Sequence, residues 1–343
     1  MAIAPDAAPG IGRGGGGATD DVGGALPASV FRYIVSTNWV HQLPLVALTI
    51  AVFALEIVPL ELQRRVVNDI VKNREYGTVV MLCAAYAGAV LAQGAVKLGL
   101  NIYRSWVSER AKRDLRQRIS ASIRSAAPRG VTTDAQGTAV SMIVAEVEPV
   151  GGFIGSSISE PLLQAGILVT VIAYIIHLDR WMGAAALALF LPQMVFVPLM
   201  QRAMNRRTGA RVWLLRQLGA EMIGARQLGD QRGLAGARID RVLNINMRIF
   251  GLKFTMNFLM NLCSHLQIIA ALLLGGWWVL EGRIEIGGVV AFISGIGRLN
   301  DPWGDLVNYF RELSVTQVKF NLLAGAINRP GAEARIVGHQ AYR

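Results

Sequence analysis

Leu280–Ser314 read LEGRIEIGGVVAFISGIGRLNDPWGDLVNYFRELS, and the stretch changes character halfway along. Ile286–Ile296 is apolar and uncharged, like the start of a membrane span, yet Arg298, Asp301, Asp305, Arg311 and Glu312 follow at once. Helical spacing nevertheless runs on from Ile286 to Ile327, interrupted only by Pro302. At 1.5 Å per residue that pattern is about 60 Å long, roughly twice the hydrocarbon thickness of a bilayer. The stretch therefore predicts a last helix that crosses the membrane and continues well beyond it.

The rest of the chain agrees. With 53% hydrophobic residues and a net charge of +11, it is at once too apolar and too basic for an ordinary soluble domain. Apolar runs of the length a span requires occur at about Leu43–Leu60, Gly77–Leu100, Val150–Ile176, Trp181–Met200 and Phe254–Leu280, with a sixth from Ile286. The third and fourth form a hairpin through the short turn HLDR. PASVFRYIVSTNWVHQ, before the first run, reads as an amphipathic interfacial helix. Residues 1–28, rich in Gly, Ala and Pro, read as a disordered cytosolic tail, 29–328 as one membrane domain, and 329–343 as a short flexible tail. Cys83 and Cys263 lie in separate apolar runs and read as small buried residues.

Charge sorts the loops. Eight Arg/Lys fall between the second and third spans and eleven between the fourth and fifth, from Arg202 to Lys253. The positive-inside rule places both long loops, and hence both termini, in the cytoplasm. Topology accounts for the basic excess, so nucleic-acid binding loses its motivation. Four scattered histidines give no metal-ligand spacing, and no motif for nucleophilic hydrolysis occurs.

Five segments in this order resemble the transmembrane domain of ABC exporters over residues 30–328. VPLELQRRVVNDIV (58–71) is similar to the outer end of the family's first span, and LGGWWVLEGRIEIGGVVAF (274–292) to its fifth-span exit and sixth-span start. GRLNDPWGDL carries the family's mid-helix proline as Pro302. DAQGTAVSMIVAEVEPV (134–150) and GAEMIGARQLGDQ (219–231) resemble its two intracellular loops. Departures from the pattern are Val131, Thr132 and Thr133 in place of aromatics, Met142 and Lys319 in place of arginines, and Glu146 in place of an aspartate.

The resemblance implies an all-α membrane protein of six long helices with cytosolic extensions, dimeric with itself or a related chain. It also implies a partner ATPase that holds ATP and Mg, with no cofactor in this chain. The sequence contains no Gly-Lys dipeptide and so no phosphate-binding loop. Family coupling helices map to about Pro128–Gly137 and Ala220–Leu228, which implies coupling contacts at Pro128, Asp134, Gly137, Glu221, Arg226 and Gln227.

Polar stripes at helical spacing mark a candidate substrate path. They are Gln93, Lys97, Asn101, Arg104 and Ser108; Asn257, Asn261 and His265; and Ser294, Arg298, Asp301, Asp305, Asn308 and Glu312. Charge at mid-bilayer costs about 2.5–3.5 kcal/mol on insertion scales, which leaves two readings. The stripes line a watery cavity, or they pair structurally, for example Arg298 with Asp301 or Asp305. Glu56 reads as reaching interfacial water or, alternatively, carrying a proton. His265 reads as a packing residue, and Gly151 and Gly155 as a close helix contact. An exporter subunit, a proton-driven transporter of the same fold and a structural partner in another membrane complex all fit these observations.

Overall fold

The computed structural model describes residues 26–126, 146–224 and 232–328 of the chain. Every extended element among them is a helix: α1 (Val30–Leu55), α2 (Ile57–Val71), α3 (Tyr76–Ala126), α4 (146–156), α5 (Ser159–Leu178), α6 (Arg180–Gly224), α7 (Arg232–Leu280), α8 (Ile286–Gly297) and α9 (Asn300–Asn328). Five stretches are long and apolar enough to cross a membrane: Val30–Val71, Tyr76–Ala121, Ser159–Leu178, Arg180–Leu215 and Ile239–Leu280. These contain or overlap the first five spans read from the sequence. For the sixth, α8 has 12 residues, about 18 Å, and depends on α9 to complete its passage.

Proline decides where helices break. Pro59, Pro161 and Pro302 are each the third residue of a helix (α2, α5 and α9), and each break lies just before that helix, at Glu56, Ser157–Ile158 and Arg298–Leu299. Proline has no N–H for the carbonyl four residues back, and its ring crowds that carbonyl. Pro302 therefore interrupts the last helix at Arg298 rather than at itself. Pro161 likewise divides the third expected span, whose apolar run reads as continuous. Pro44, Pro192 and Pro198 sit inside unbroken helices.

Side-chain donors reach backbone carbonyls at two of the breaks, and the first of these is the carbonyl that Pro161 frees. The Tyr309 hydroxyl of α9 donates to the Ser157 carbonyl at 2.6 Å. Arg298 Nη1 donates to the Glu56 carbonyl at 3.2 Å.

The interfacial helix expected before the first span is instead the opening of α1. Val30, Tyr33 and Ile34 are fully buried there, in one core with Leu115 of α3, Phe153 and Ile154 of α4, and Phe320 and Leu323 of α9. Tyr33 adds a 2.5 Å hydrogen bond to Asp114. This packing makes the segment part of the bundle, and it continues across Pro44 into the span. A second core at the opposite end joins Leu60, Val171, Ile175, Phe292 and Ile296. Asp179 ends α5 and caps α6, accepting from the backbone N–H groups of Trp181 and Met182 at 2.8 and 2.9 Å, in the turn the sequence predicts.

Gly151 and Gly155 make the close contact their spacing suggests. A Cβ on Gly155 would lie 2.4 Å from the Arg104 carbonyl, and one on Gly151 would lie 2.2 Å from Lys112 Cγ. Elsewhere α3 turns its apolar surface outward. Cys83 is accordingly exposed rather than buried, and Cys263 on α7 is only partly covered. An apolar run in a membrane helix need not face protein.

Replacing Tyr309 by Phe leaves the Ser157 carbonyl without its donor and should cost about 1–3 kcal/mol, read as a lower thermal unfolding midpoint. In a Pro161→Ala background the restored N–H serves that carbonyl, so the same replacement should cost measurably less.

Candidate transport pathway and its polar network

The break residue Glu56, between α1 and α2, is the centre of one polar group. Its carboxylate is 15% exposed and accepts from Arg298 Nη1 at 2.5 Å and from Gln93 Nε2 of α3. Arg298 thus pairs with Glu56 and not with Asp301 or Asp305, the partners that spacing suggests. Both aspartates lie beyond the break, on α9, whereas Arg298 ends α8 and turns toward the end of α1. Nor does Glu56 reach out as an isolated interfacial carboxylate.

A second group ties α3, α5 and α9 together. Arg104 donates to Ser159 at 3.0 Å and to Glu160 at 2.6 Å. Gln164 bridges onward, to Glu160 at 2.7 Å and to Asp305 at 3.3 Å. Lys97 and Asp301 are within electrostatic range of the same Asp305 carboxylate. Gln201 of α6 donates to Asn308 at 3.2 Å. Ser108 faces α4 and donates to the Gly152 carbonyl at 3.1 Å.

The stripes therefore divide. Gln93, Arg104, Ser108 and Arg298 join helices, as do Asp305 and Asn308 although both are exposed, while Lys97, Asn101, Asp301 and Glu312 are exposed and Ser294 is half-buried. Asn257 and Asn261 are exposed on α7 and stand outside both groups among the described residues. His265 is exposed as well, not packed; α7 contributes Ser264, which accepts from Asn300 Nδ2. Glu160 and Gln164 were missed by sequence reasoning because they sit in an apolar run. Their four-residue spacing was the available signal. Of the coupling positions, Pro128, Asp134, Gly137, Arg226 and Gln227 lie outside the described residues, and Glu221 is described only as a backbone position on α6.

The profile of the ABC transporter transmembrane region matches residues 45–211, from the second half of α1 into α6. That similarity covers just under half of the chain. No curated protein matches the chain. The protein is an integral membrane protein, and its all-helical fold is consistent with an ABC-exporter transmembrane domain.

Within this ABC transmembrane fold, the two stretches at 58–71 and 274–292 meet at one end of the bundle. Asn68 Oδ1 accepts from the Gly287 N–H at 2.8 Å, and a Cβ on Gly287 would lie 2.2 Å from the Arg64 carbonyl, so only glycine admits this approach. Glu285 is bound by Lys72 at 2.5 Å, with Asn68 also donating and Arg64 at 3.6 Å. At the other end, Glu146 and Lys319, both departures from the family pattern, lie 2.7 Å apart as an ion pair.

Removing one member of the Glu56–Arg298 pair strands a charge in a poorly solvated site, a loss of about 3–5 kcal/mol for buried pairs. Glu56→Leu and Arg298→Met should each destabilise by an amount near the lower end of that range. Together they should destabilise by less than the sum, as a double-mutant cycle on unfolding would read.

The Lys72 hydrogen bond, with help from Arg64 and Asn68, outweighs burial and holds the Glu285 carboxyl below its usual range. A carboxylate lowered on folding stabilises at pH above its unfolded value, and the benefit fades as pH falls through the folded value. The melting-temperature gap between the parent protein and Glu285→Gln should be present at pH 7 and close on acidification.

Proposed function

We propose that the chain is the transmembrane subunit of an ABC-type exporter and draws its power from an ATPase on a separate polypeptide. The observation that carries this reading is the polar surface left open on helices apolar enough to span. Lys97 and Asn101 on α3 and Asn257 and Asn261 on α7 are exposed on such helices, where lipid disfavours them. A second protomer, identical or related, encloses them with Asp301, Asp305 and Asn308 in one aqueous pathway. In this reading ATP and Mg belong to the partner, in keeping with a sequence that carries no phosphate-binding loop. Pro128, Asp134, Gly137, Glu221, Arg226 and Gln227 are then the contacts that pass closure of the ATPase pair to the helices. The long basic loops and both termini are cytoplasmic in this reading, and the membrane is a bacterial inner membrane.

A second reading draws on Glu56, a carboxylate held between two helix breaks, and makes the protein a proton-driven transporter. The two readings separate by experiment. Gentle affinity purification from the native membrane, with partners identified by mass spectrometry, should yield a P-loop ATPase in equal amount. Non-ATPase membrane subunits in its place would overturn the exporter reading in favour of a structural role. Transport that persists without any ATPase and stops in Glu56→Gln would favour the proton-driven one.

A further inference from the structure

One face of α3 carries a surface that neither polar group uses. Gly99, Ile102, Tyr103, Trp106, Arg110 and Arg113 recur at three- and four-residue spacing and share a side of the helix. Arg104 and Ser108, which bind α4 and α5, point the opposite way. Pro44 and Leu48 of α1, with Gly99, Ile102, Tyr103 and Trp106, form an open groove of about 500 Å³ whose walls are almost wholly apolar. Small-molecule sites span roughly 300–1,000 Å³, so the groove has room for a ligand.

The groove is graded along its length. Beyond its apolar part, Tyr103 stacks on Trp106 with ring centroids 5.7 Å apart, and the Tyr103 hydroxyl is hydrogen-bonded to His41 Nδ1 at 3.0 Å. Next, the Arg110 guanidinium lies 5.5 Å over the Trp106 ring, and Arg113 follows one turn on. Both arginines are exposed, and neither has an ion-pair partner among the described residues. Glu109, the adjacent carboxylate, is taken by Lys112 at 2.7 Å. Apolar surface, then amphipathic rings, then free cations is the order a lipid presents as acyl chain, glycerol region and phosphate.

We infer that this groove between α1 and α3 binds a glycerophospholipid with an anionic headgroup, from the leaflet at the end of the bundle that carries the long basic loops. An acyl chain lies against Pro44, Leu48, Gly99 and Ile102. The glycerol and ester region meets Tyr103, Trp106 and His41, and the headgroup sits at Arg110 and Arg113. The charge of the arginines selects a lipid over an apolar helix of another protein, which would leave both cations without a counter-ion.

Gly99 supplies a clean probe, since a Cβ there meets nothing within 4 Å and a larger side chain has the open groove to occupy. The full chain, purified in mild detergent, is titrated with phosphatidylglycerol or phosphatidylcholine of identical acyl chains and read by native mass spectrometry. One phosphatidylglycerol should bind in preference, by about five-fold for each arginine that reaches the headgroup. Arg110→Gln with Arg113→Gln should abolish the preference. Gly99→Phe should displace both lipids while the thermal midpoint holds. Equal binding of the two lipids, or a Gly99→Phe variant that binds as the parent does, overturns the assignment. So does efficient crosslinking of Gly99→Cys to a second copy, in a background with Cys83 and Cys263 replaced by Ser, because the groove is then covered by protein.

Discussion

A backbone carbonyl without a donor is costly wherever water is scarce, and this fold creates such carbonyls with its own prolines. Three helices are cut a few residues before Pro59, Pro161 and Pro302. The last two helices reach into the first two breaks: Tyr309 serves the Ser157 carbonyl that Pro161 frees, and Arg298 donates to the Glu56 carbonyl at the end of α1. Arg298 does double duty, since the same guanidinium nitrogen that serves the Glu56 carbonyl neutralises the Glu56 carboxylate. The α8–α9 pair is therefore a brace for the elements before it as well as the final passage through the membrane.

Much of this was legible in the sequence. Apolar runs gave the spans and the turn at Asp179, and the G-x-x-x-G at Gly151 and Gly155 gave the contact with α3. What spacing could not give was the partner across helices. Arg298 has Asp301 and Asp305 nearby in sequence, yet the break three residues upstream of Asp301 sends it to a glutamate 242 positions away. Glu160 and Gln164 escaped notice because hydropathy averages over a run and hides two polar groups on one stripe. The buried start of α1 looked amphipathic because its apolar face meets protein instead of the lipid interface. Burial of cysteines failed for the converse reason: in a membrane helix, lipid is a legitimate neighbour for an apolar side chain.

The two ends of the bundle are held by different chemistry. One depends on a glycine approach, with Asn68 hydrogen-bonded to the Gly287 backbone and charges gathered around Glu285. The other rests on the aromatic and aliphatic core of α1, α3, α4 and α9, ringed by ion pairs such as Lys319–Glu146 and Lys112–Glu148. Glu146 and Lys319 each differ from the residue typical of the family, yet their charges remain complementary. At this contact, opposite sign and reach matter more than residue identity.

The length of α3 has its own mechanical meaning. Its 51 residues form a rod of about 77 Å. The α4 glycines press against it about two thirds of the way along, Gly155 against the Arg104 carbonyl and Ser108 and Gly151 against Lys112. Such a contact works as a fulcrum. A slight rocking there becomes a sizeable sweep at both tips, so movement applied at the loop end is geared up at the far end without bending the helix.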